Sequence, residues 1–187
     1  MQEWLNSYAA ELTRAIAALP MAEIEEIAGR LRRARDEGRT IFICGNGGSA
    51  ATASHFAVDL GKGASLGRPR RFRALSLCDN SPLLTALGND VGYENSFVEQ
   101  LMNLATPGDV LVAISVSGNS PNVVRAMEWA HKQGVTTVGL GSRRGGRLEE
   151  LADHLVTIDD EHFGRVEDAH MIVCHLWAFG FIENAVD

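Results

Sequence analysis

Short apolar runs that alternate with helical patterns constrain the fold of this chain more than any other feature of its sequence. The apolar runs lie at residues 40–44, 74–77, 110–114, 135–140 and 154–158. Because they are continuous rather than interrupted by alternating polar residues, we expect strands that are buried on both faces. Helical patterns separate them, at residues 49–60, 81–87, 93–104, 121–132 and 146–152. This order predicts an α/β fold with a mostly parallel sheet.

Further helical patterns flank the strand region on both sides. Residues 2–19 repeat apolar side chains at three- and four-residue steps up to Pro20, and residues 24–34 continue this pattern before Gly38. This amphipathic pair is expected to pack either against the sheet or against copies of itself in an oligomer. Residues 165–184 are apolar around most of a helix, which predicts a helix buried within the subunit or between subunits.

Composition and charge exclude several classes of protein. The chain has 187 residues, of which 45% are hydrophobic and 22% charged, as in a folded single domain rather than a disordered chain. Its formal net charge of -7 argues against binding to nucleic acid or to anionic membranes, and no apolar run approaches the roughly 18 residues of a membrane span. The cysteines Cys44, Cys78 and Cys174 lack C-x-x-C spacing, which indicates reduced thiols in a cytoplasmic protein.

The first loop of chemical interest is the glycine-rich segment at residues 45–49, between a strand and a helix. Glycines let the backbone approach a ligand, and the free N–H groups at a helix start favour phosphate. The loop also matches the dinucleotide fingerprint G-x-G-x-x-A. The acidic ribose-binding residue expected about 20 residues later is missing, so a phosphate site is favoured over a dinucleotide site.

A second loop, at residues 115–120, brings three serine hydroxyls together after another strand. Hydroxyls and backbone N–H groups can hold a phosphate monoester without help from a cationic side chain. Pro121 suits the first position of a helix, with Ser120 as its cap. The alternative is that Ser120 only caps this helix.

Four ionisable residues form a candidate metal or acid–base site. His55 and Asp59 are spaced i, i+4, which suits a shared metal, a base with its orienting partner, or simply a hydrogen bond on a helix surface. Glu167 and His175 lie about 12 Å apart along a helix, so both reach one ion only if Glu167 lies at a frayed helix start. Alternatively, His175 is a core histidine, and Glu167 is a first-turn carboxylate or forms a surface pair with His170.

Taken together, these motifs resemble the sugar isomerase (SIS) domain family, and most closely its phosphoheptose isomerase branch. The resemblance covers nearly the whole chain and is carried by residues 45–49, 55–57, 88–90, 115–120, 165–167 and His175. It implies one SIS domain at residues 1–187, with a helical pair at residues 1–38 and an α/β core at residues 39–187. The implied core is a flavodoxin-like, three-layer α/β/α structure with a doubly wound, parallel, five-stranded sheet. The implied assembly is a homotetramer that uses the N-terminal helices, with active sites at its interfaces.

The resemblance also implies which residues contact the sugar phosphate. The family's sugar-contacting Asp maps to either Asp79 or Asn80, because the segment before Gly88 is one residue longer than usual. The implied substrate-binding residues are Asn46, Gly47, Gly48, Ser49, Asp79, Asn80, Ser115, Ser117, Asn119, Ser120 and Glu167.

The family's divalent metal site, with Zn²⁺ as the expected ion, maps to His55, Asp59, Glu167 and His175. In the family a Glu moves a proton between C1 and C2 of the sugar through an enediol, with the late His as acid partner. These catalytic roles fall on Asp59 and His175. Asp59 and Glu167 depart from the family's Glu and Gln, which puts the metal, the rate and the substrate in question.

The leading hypothesis is an aldose–ketose isomerase that converts sedoheptulose 7-phosphate into D-glycero-D-manno-heptose 7-phosphate. A second hypothesis is a non-catalytic SIS-fold regulator, such as the family's replication-initiator-binding tetramer, which lacks the late histidine. A third is an isomerase of a related pentose or hexosamine phosphate. The presence of His175 favours an enzyme over the regulator.

Overall fold

A five-stranded sheet forms the centre of the computed structural model, which describes residues 1–184. All neighbouring strands are parallel, and their order is β2-β1-β3-β4-β5. This is the doubly wound order of the flavodoxin-like fold. The strands are β1 (Thr40–Gly45), β2 (Arg73–Ser76), β3 (Val110–Ile114), β4 (Thr136–Ser142) and β5 (His154–Ile158).

Helices cover both faces of the sheet, so the predicted three-layer α/β/α fold is confirmed. The first two, third and last helices share one apolar core with one sheet face, and the helices between share a second core with the other face. Among the described residues, no helix is both long and apolar enough to span a membrane. The helices are α1 (Gln2–Ala17), α2 (Met21–Asp36), α3 (Gly48–Val58), α4 (Ser81–Asp90), α5 (Val98–Leu104), α6 (Pro121–Lys132), α7 (Arg147–Leu151) and α8 (Phe163–Glu183).

Strand burial follows position in the sheet. The central strands β1, β3 and β4 are buried along almost their whole length, as the continuous apolar runs predicted. The same prediction is wrong for β2 and β5: only Ser76 of β2 and only Val156 and Ile158 of β5 are buried. These two strands form the edges of the sheet, where no further strand is available to cover them.

The N-terminal helical pair joins the core of the subunit. Helix α2 buries Ile24, Ile27 and Leu31 in the core shared with the sheet. Helix α1 packs on α8, where the hydroxyl of Tyr8 donates to Asp168 at 2.6 Å. The predicted packing of the pair on the rest of the subunit is therefore observed, and its role in oligomerisation stays a prediction.

Helix α8 is anchored near its start and near its middle. Near its start, Arg165 donates two hydrogen bonds to the buried carboxylate of Asp160, at 2.6 and 2.8 Å, and this guanidinium holds the pKa of Asp160 well below its usual range. Further along, the indole N–H of Trp177 donates to the carbonyl of Ile24 at 2.8 Å. Breaking a buried ion pair by removing one partner typically costs about 3–5 kcal/mol. The position of α8 is therefore strongly defined.

Two local predictions about helices need correction. The helix predicted at residues 93–104 is a 3₁₀ turn at Tyr93–Asn95 followed by α5. The Asn95 side chain donates to the carbonyl of Val91 and accepts from Arg125, both at 2.6 Å, and such local bonds compete with continuous helix. The helix predicted to reach residue 60 instead ends at Val58 and continues as a π-helical turn at Asp59–Gly63.

His170 is completely buried, so the suggested surface pair with Glu167 is wrong. Its Nε2 atom lies 2.9 Å from the carbonyl oxygen of Gly141, which requires an N–H donor on that nitrogen. Burial lowers the pKa of His170 from 6.5 to about 4. The neutral imidazole is therefore part of the folded core.

We expect the stability of the fold to depend on pH through His170. Between pH 6.5 and pH 4 the unfolded state binds a proton that the folded state does not, so this contribution is complete above pH 6.5 and is lost as the pH falls. Urea unfolding of the wild type should show a decrease of about 3 kcal/mol from this group between pH 7 and pH 4. His170→Gln, which keeps an N–H donor, should show a flatter pH dependence.

The matched control is His131→Gln, because His131 is an exposed histidine on α6. This substitution leaves His170 in place, so the decrease that depends on His170 should remain. Parallel curves for His170→Gln and the wild type would contradict the assignment of a neutral, buried imidazole.

Candidate active site

The candidate site lies at the carboxyl end of the sheet, between α3 and α8. The glycine loop after β1 and the serine loop after β3 meet there, because the carboxyl ends of parallel strands share one edge. The π-helical turn after α3 and the facing side of α8 form the second part of the site. The site thus has two parts, a serine-lined pocket and a His/Asp/His group.

The serine-lined pocket is a cavity of about 110 Å³. Four serine hydroxyls and one amide surround it, and its lining residues include no Lys or Arg. An anion in this pocket would be held by neutral donors, as the sequence predicted. The lining residues are Asn46, Ser49, Ile114, Ser115, Val116, Ser117, Ser120, Phe163 and Glu167.

The glycine loop brings the start of α3 close to α8. Gly47 has a φ of +55°, in the left-handed region that favours glycine. Gly48 begins α3, and a methyl group on its Cα would overlap the carboxylate of Glu167. Ser49 follows and is almost completely buried in the pocket wall. These glycines therefore permit the close approach that forms one wall of the pocket.

Hydrogen bonds between serine hydroxyls and backbone N–H groups order the serine loop. Ser115 Oγ accepts from the N–H of Gly118 at 3.1 Å, and Ser117 Oγ accepts from the N–H of Asn119 at 3.3 Å. Ser120 occupies the N-cap position of α6, but its hydroxyl makes no capping hydrogen bond. The interpretation of Ser120 as only a helix cap is therefore wrong, and its hydroxyl remains available to the pocket.

Three other residues expected to bind substrate are engaged in local structure. Asn119 accepts from the N–H of Arg147 at 3.1 Å, and Asn80 caps α4 by accepting from the N–H of Leu83, also at 3.1 Å. The carboxylate of Asp79 accepts a hydrogen bond from Ser54 of α3. Asp79, Asn80 and Asn119 are not among the residues lining the serine pocket, and their contact with substrate stays a prediction.

His55, Asp59 and His175 form the second part of the site. The Nε2 atoms of the two histidines lie 3.2 Å apart, and Asp59 Oδ2 lies 3.3 Å from His55 Nε2 and 3.7 Å from His175 Nε2. Asp59 is mostly buried, whereas the side chains of His55 and His175 are 50% and 38% exposed. The group is therefore accessible from solvent on its histidine side.

This group fits a divalent cation. Asp59 Oδ2 is buried and has no hydrogen-bond partner among the described residues, which is unfavourable for an acceptor unless a cation or donor meets it. Two ring nitrogens that face each other at 3.2 Å suit a common electrophile. Ligands bound at 2.0–2.1 Å in a tetrahedron lie about 3.3 Å apart, close to all three observed separations.

Glu167 is not part of this group. Its carboxyl lies beside Gly48 in the serine pocket, because Glu167 is the fifth residue of α8 and His175 lies two turns further along. The sequence prediction required a frayed helix start, and α8 is instead regular from Phe163. The role of Glu167 as a fourth metal ligand stays a prediction.

Sequence reasoning missed several residues near the pocket. Phe163 lines it directly from the start of α8. Tyr93 and Asn122 both bond to the side chain of Asn46, although neither follows a strand directly. A hydrogen-bonded aromatic or amide far along the chain has no local sequence signal, so these residues emerge only from the tertiary structure.

We expect the protein to bind one equivalent of Zn²⁺ through His55, Asp59 and His175. His175→Ala should weaken binding at least roughly a hundredfold, because even the outer partners of metal ligands contribute roughly 10- to 100-fold. Competition with a chromophoric chelator measures this affinity. Glu167→Gln in the same assay shows whether Glu167 is a ligand.

The control is His131→Ala, which removes an exposed histidine in the last turn of α6, where it lies beside Asp153, and should leave the affinity unchanged. Equal affinities of the wild type and His175→Ala would show that the ion binds elsewhere.

Comparisons with known proteins agree with the fold. Residues 3–142 match the SIS domain family. The phosphoheptose isomerase of Nitratidesulfovibrio vulgaris is 44% identical over 153 residues, which cover 82% of this chain and 73% of that protein. The phosphoheptose isomerase of Akkermansia muciniphila is 40% identical over 163 residues, covering 87% of this chain and 85% of that protein.

A solved structure of a phosphoheptose isomerase is also similar to this chain. The phosphoheptose isomerase GmhA from Neisseria gonorrhoeae superposes with a TM-score of 0.89 at 30% identity, over 97% of this chain and 98% of that chain. The chain therefore belongs to the SIS domain family, within its phosphoheptose isomerase branch.

Proposed function

We propose that this protein is a phosphosugar isomerase that converts sedoheptulose 7-phosphate into D-glycero-D-manno-heptose 7-phosphate. The observation that carries the proposal is the spacing of the two parts of the site. On α3, His55 follows Ser49 by six residues, about 9 Å along the helix, and on α8, His175 follows Glu167 by about 12 Å. In an open-chain heptose phosphate, roughly 10 Å separate C1 from the phosphorus at typical bond lengths. The names of the relatives supply the seven-carbon sugar.

The serine-lined pocket would hold the phosphate. Its four hydroxyls can each donate to a phosphate oxygen, and the start of α3 adds backbone N–H groups and a favourable helix dipole. Glu167 is the anionic residue of the lining, so these neutral donors must outweigh its repulsion of the phosphate. This balance favours a single phosphate monoester over a more highly charged ligand.

Asp59 would serve as the base. In the direction from ketose to aldose, its carboxylate takes a proton from C1 of the open-chain sugar and returns that proton to C2, through an enediol. His175, on the facing helix, would be the acid partner for the proton exchanged between the oxygens on C1 and C2. A divalent ion at the group would polarise these oxygens and so stabilise the negative charge that develops on them.

Zn²⁺ is the proposed ion. Two imidazoles and one carboxylate are typical protein ligands of catalytic zinc, which keeps a further position open for substrate. If Glu167 were a fourth ligand, its negative charge would strengthen cation binding and weaken the ion as an electrophile.

The proposed assembly is a homotetramer. Trp4 and Leu5 of α1 and Phe179 of α8 are about half exposed in the single chain, and burial in an assembly would remove this apolar surface from water. The proposed compartment is the cytoplasm, which fits cysteines that are free in the described residues.

We expect the purified, Zn²⁺-loaded protein to convert sedoheptulose 7-phosphate, with the anomeric signals of the aldose phosphate appearing in the NMR spectrum. A chelator should stop the reaction, and His175→Ala should lower turnover by at least roughly 10²- to 10⁴-fold, because it removes both an acid–base group and a proposed ligand of the ion. Circular dichroism of the variant should match that of the wild type. Turnover at the wild-type rate in His175→Ala would refute the mechanism.

The same experiment separates the alternatives. His131→Ala should isomerise the sugar at the wild-type rate. If the folded, metal-loaded wild type leaves sedoheptulose 7-phosphate unchanged but converts a pentose or hexosamine phosphate, the reaction class holds and the substrate is wrong. If it converts none of them, a non-catalytic binding role replaces the proposed function.

Ser120→Ala distinguishes phosphate binding from helix capping. Because the hydroxyl makes no capping bond, we expect no loss of stability, whereas removal of a true cap costs about 0.5–2 kcal/mol. The KM should rise roughly tenfold or more, since a hydrogen bond to a charged group contributes about 1.5–3 kcal/mol. Ser7→Ala, an exposed serine of α1, is the control. A destabilised variant with unchanged KM would contradict the role in phosphate binding.

A further inference from the structure

The side chain of Asn46, which lines the serine pocket, is held by a reciprocal amide pair. Asn46 Nδ2 donates to Asn122 Oδ1, and Asn122 Nδ2 donates to Asn46 Oδ1, both at 2.9 Å. Asn122 is 2% exposed. The pair therefore joins the glycine loop to the start of α6.

The orientation of both amides follows from one backbone group. The N–H of Val123 donates to Asn122 Oδ1 at 3.0 Å, and a backbone N–H can act only as a donor. Asn122 must therefore present its oxygen to Val123, which leaves its Nδ2 group to donate to Asn46. This in turn places the Asn46 oxygen toward Asn122 Nδ2.

Tyr93 supplies a second donor to the same oxygen. Its hydroxyl donates to Asn46 Oδ1 at 2.9 Å. Since an amide oxygen has two lone pairs, both are then occupied, by Asn122 and by Tyr93. Asn46 Nδ2 has one acceptor among the described residues, so one of its two N–H groups remains for a ligand.

The position of Tyr93 indicates a role other than stabilising the fold. Tyr93 is 53% exposed, so burial of its ring contributes little to the fold. The 3₁₀ turn that carries it is nevertheless tied to α6, since Arg125 donates to Asn95 at 2.6 Å and approaches Glu94 at 3.8 Å. The turn thus positions the Tyr93 hydroxyl against Asn46, which lines the pocket.

We propose that Tyr93 is a positioning residue that, together with Asn122, makes Asn46 a pure hydrogen-bond donor toward the sugar phosphate. With both lone pairs of its oxygen occupied, Asn46 favours an acceptor oxygen of the substrate, such as a carbonyl or phosphate oxygen, over a hydroxyl donor. This inference rests on the proposed isomerase function. The 3₁₀ turn that carries Tyr93 thus takes part in substrate selection.

The test is a double-mutant cycle with Tyr93→Phe and Asn46→Ala, measured as kcat/KM for sedoheptulose 7-phosphate. Tyr93→Phe removes only the hydroxyl and should lower kcat/KM about threefold to tenfold, the usual range for one hydrogen bond. The thermal unfolding midpoint should not change. In the Asn46→Ala background the same substitution should have no further effect, because its target is gone.

The control is Thr85→Ala, which removes an exposed hydroxyl of α4 that bonds only to its own helix. It should leave kcat/KM unchanged. If Tyr93→Phe reduces kcat/KM equally in both backgrounds, its effect does not pass through Asn46 and the proposal is wrong. An unchanged kcat/KM in the single variant of an active enzyme also overturns it. Absence of turnover by the wild type contradicts the proposed function itself and, with it, this inference.

Discussion

The placement of α8 across the sheet is the constraint on which the site depends. The buried ion pair of Arg165 with Asp160 fixes its start, and the Trp177 indole fixes its middle against α2. Because a helix is rigid, these anchors also fix Glu167 beside the glycine loop and His175 beside His55. The parallel sheet supplies the loops, but the second half of the site exists only where α8 lies.

The two parts of the site differ in how completely their polar atoms are hydrogen-bonded. The oxygen of Asn46 is fully occupied by Asn122 and Tyr93, which makes its preference specific. Asp59 Oδ2 is buried without a hydrogen bond, which is unfavourable in the protein alone. Departures from complete hydrogen bonding tend to mark functional positions, because a ligand completes them. An amide oxygen with both lone pairs occupied suits selective recognition of a ligand. A buried carboxylate oxygen without a hydrogen-bond partner suits a cation.

Much of the fold was predictable because apolar periodicity reports directly on burial. The continuous runs identified the five strands, and the i, i+4 spacing of His55 and Asp59 placed both on one side of α3 and its π-helical extension. Errors arose where tertiary contacts override local pattern. The helix predicted at residues 93–104 is interrupted by side-chain bonds, and His170 looked like a surface residue although the carbonyl of Gly141 accepts its buried N–H.

The sequence by itself determined the α/β architecture, the positions of the glycine-rich and serine-rich loops after two strands, and the family, since these depend on short-range pattern and motif. Only the tertiary structure decided which distant groups meet. It separated Glu167 from the His/Asp/His group, brought His175 within 3.2 Å of His55, and joined Tyr93 to Asn46. The physical reason is that helix packing sets such distances through many weak contacts spread over the chain, and no local stretch of sequence contains them.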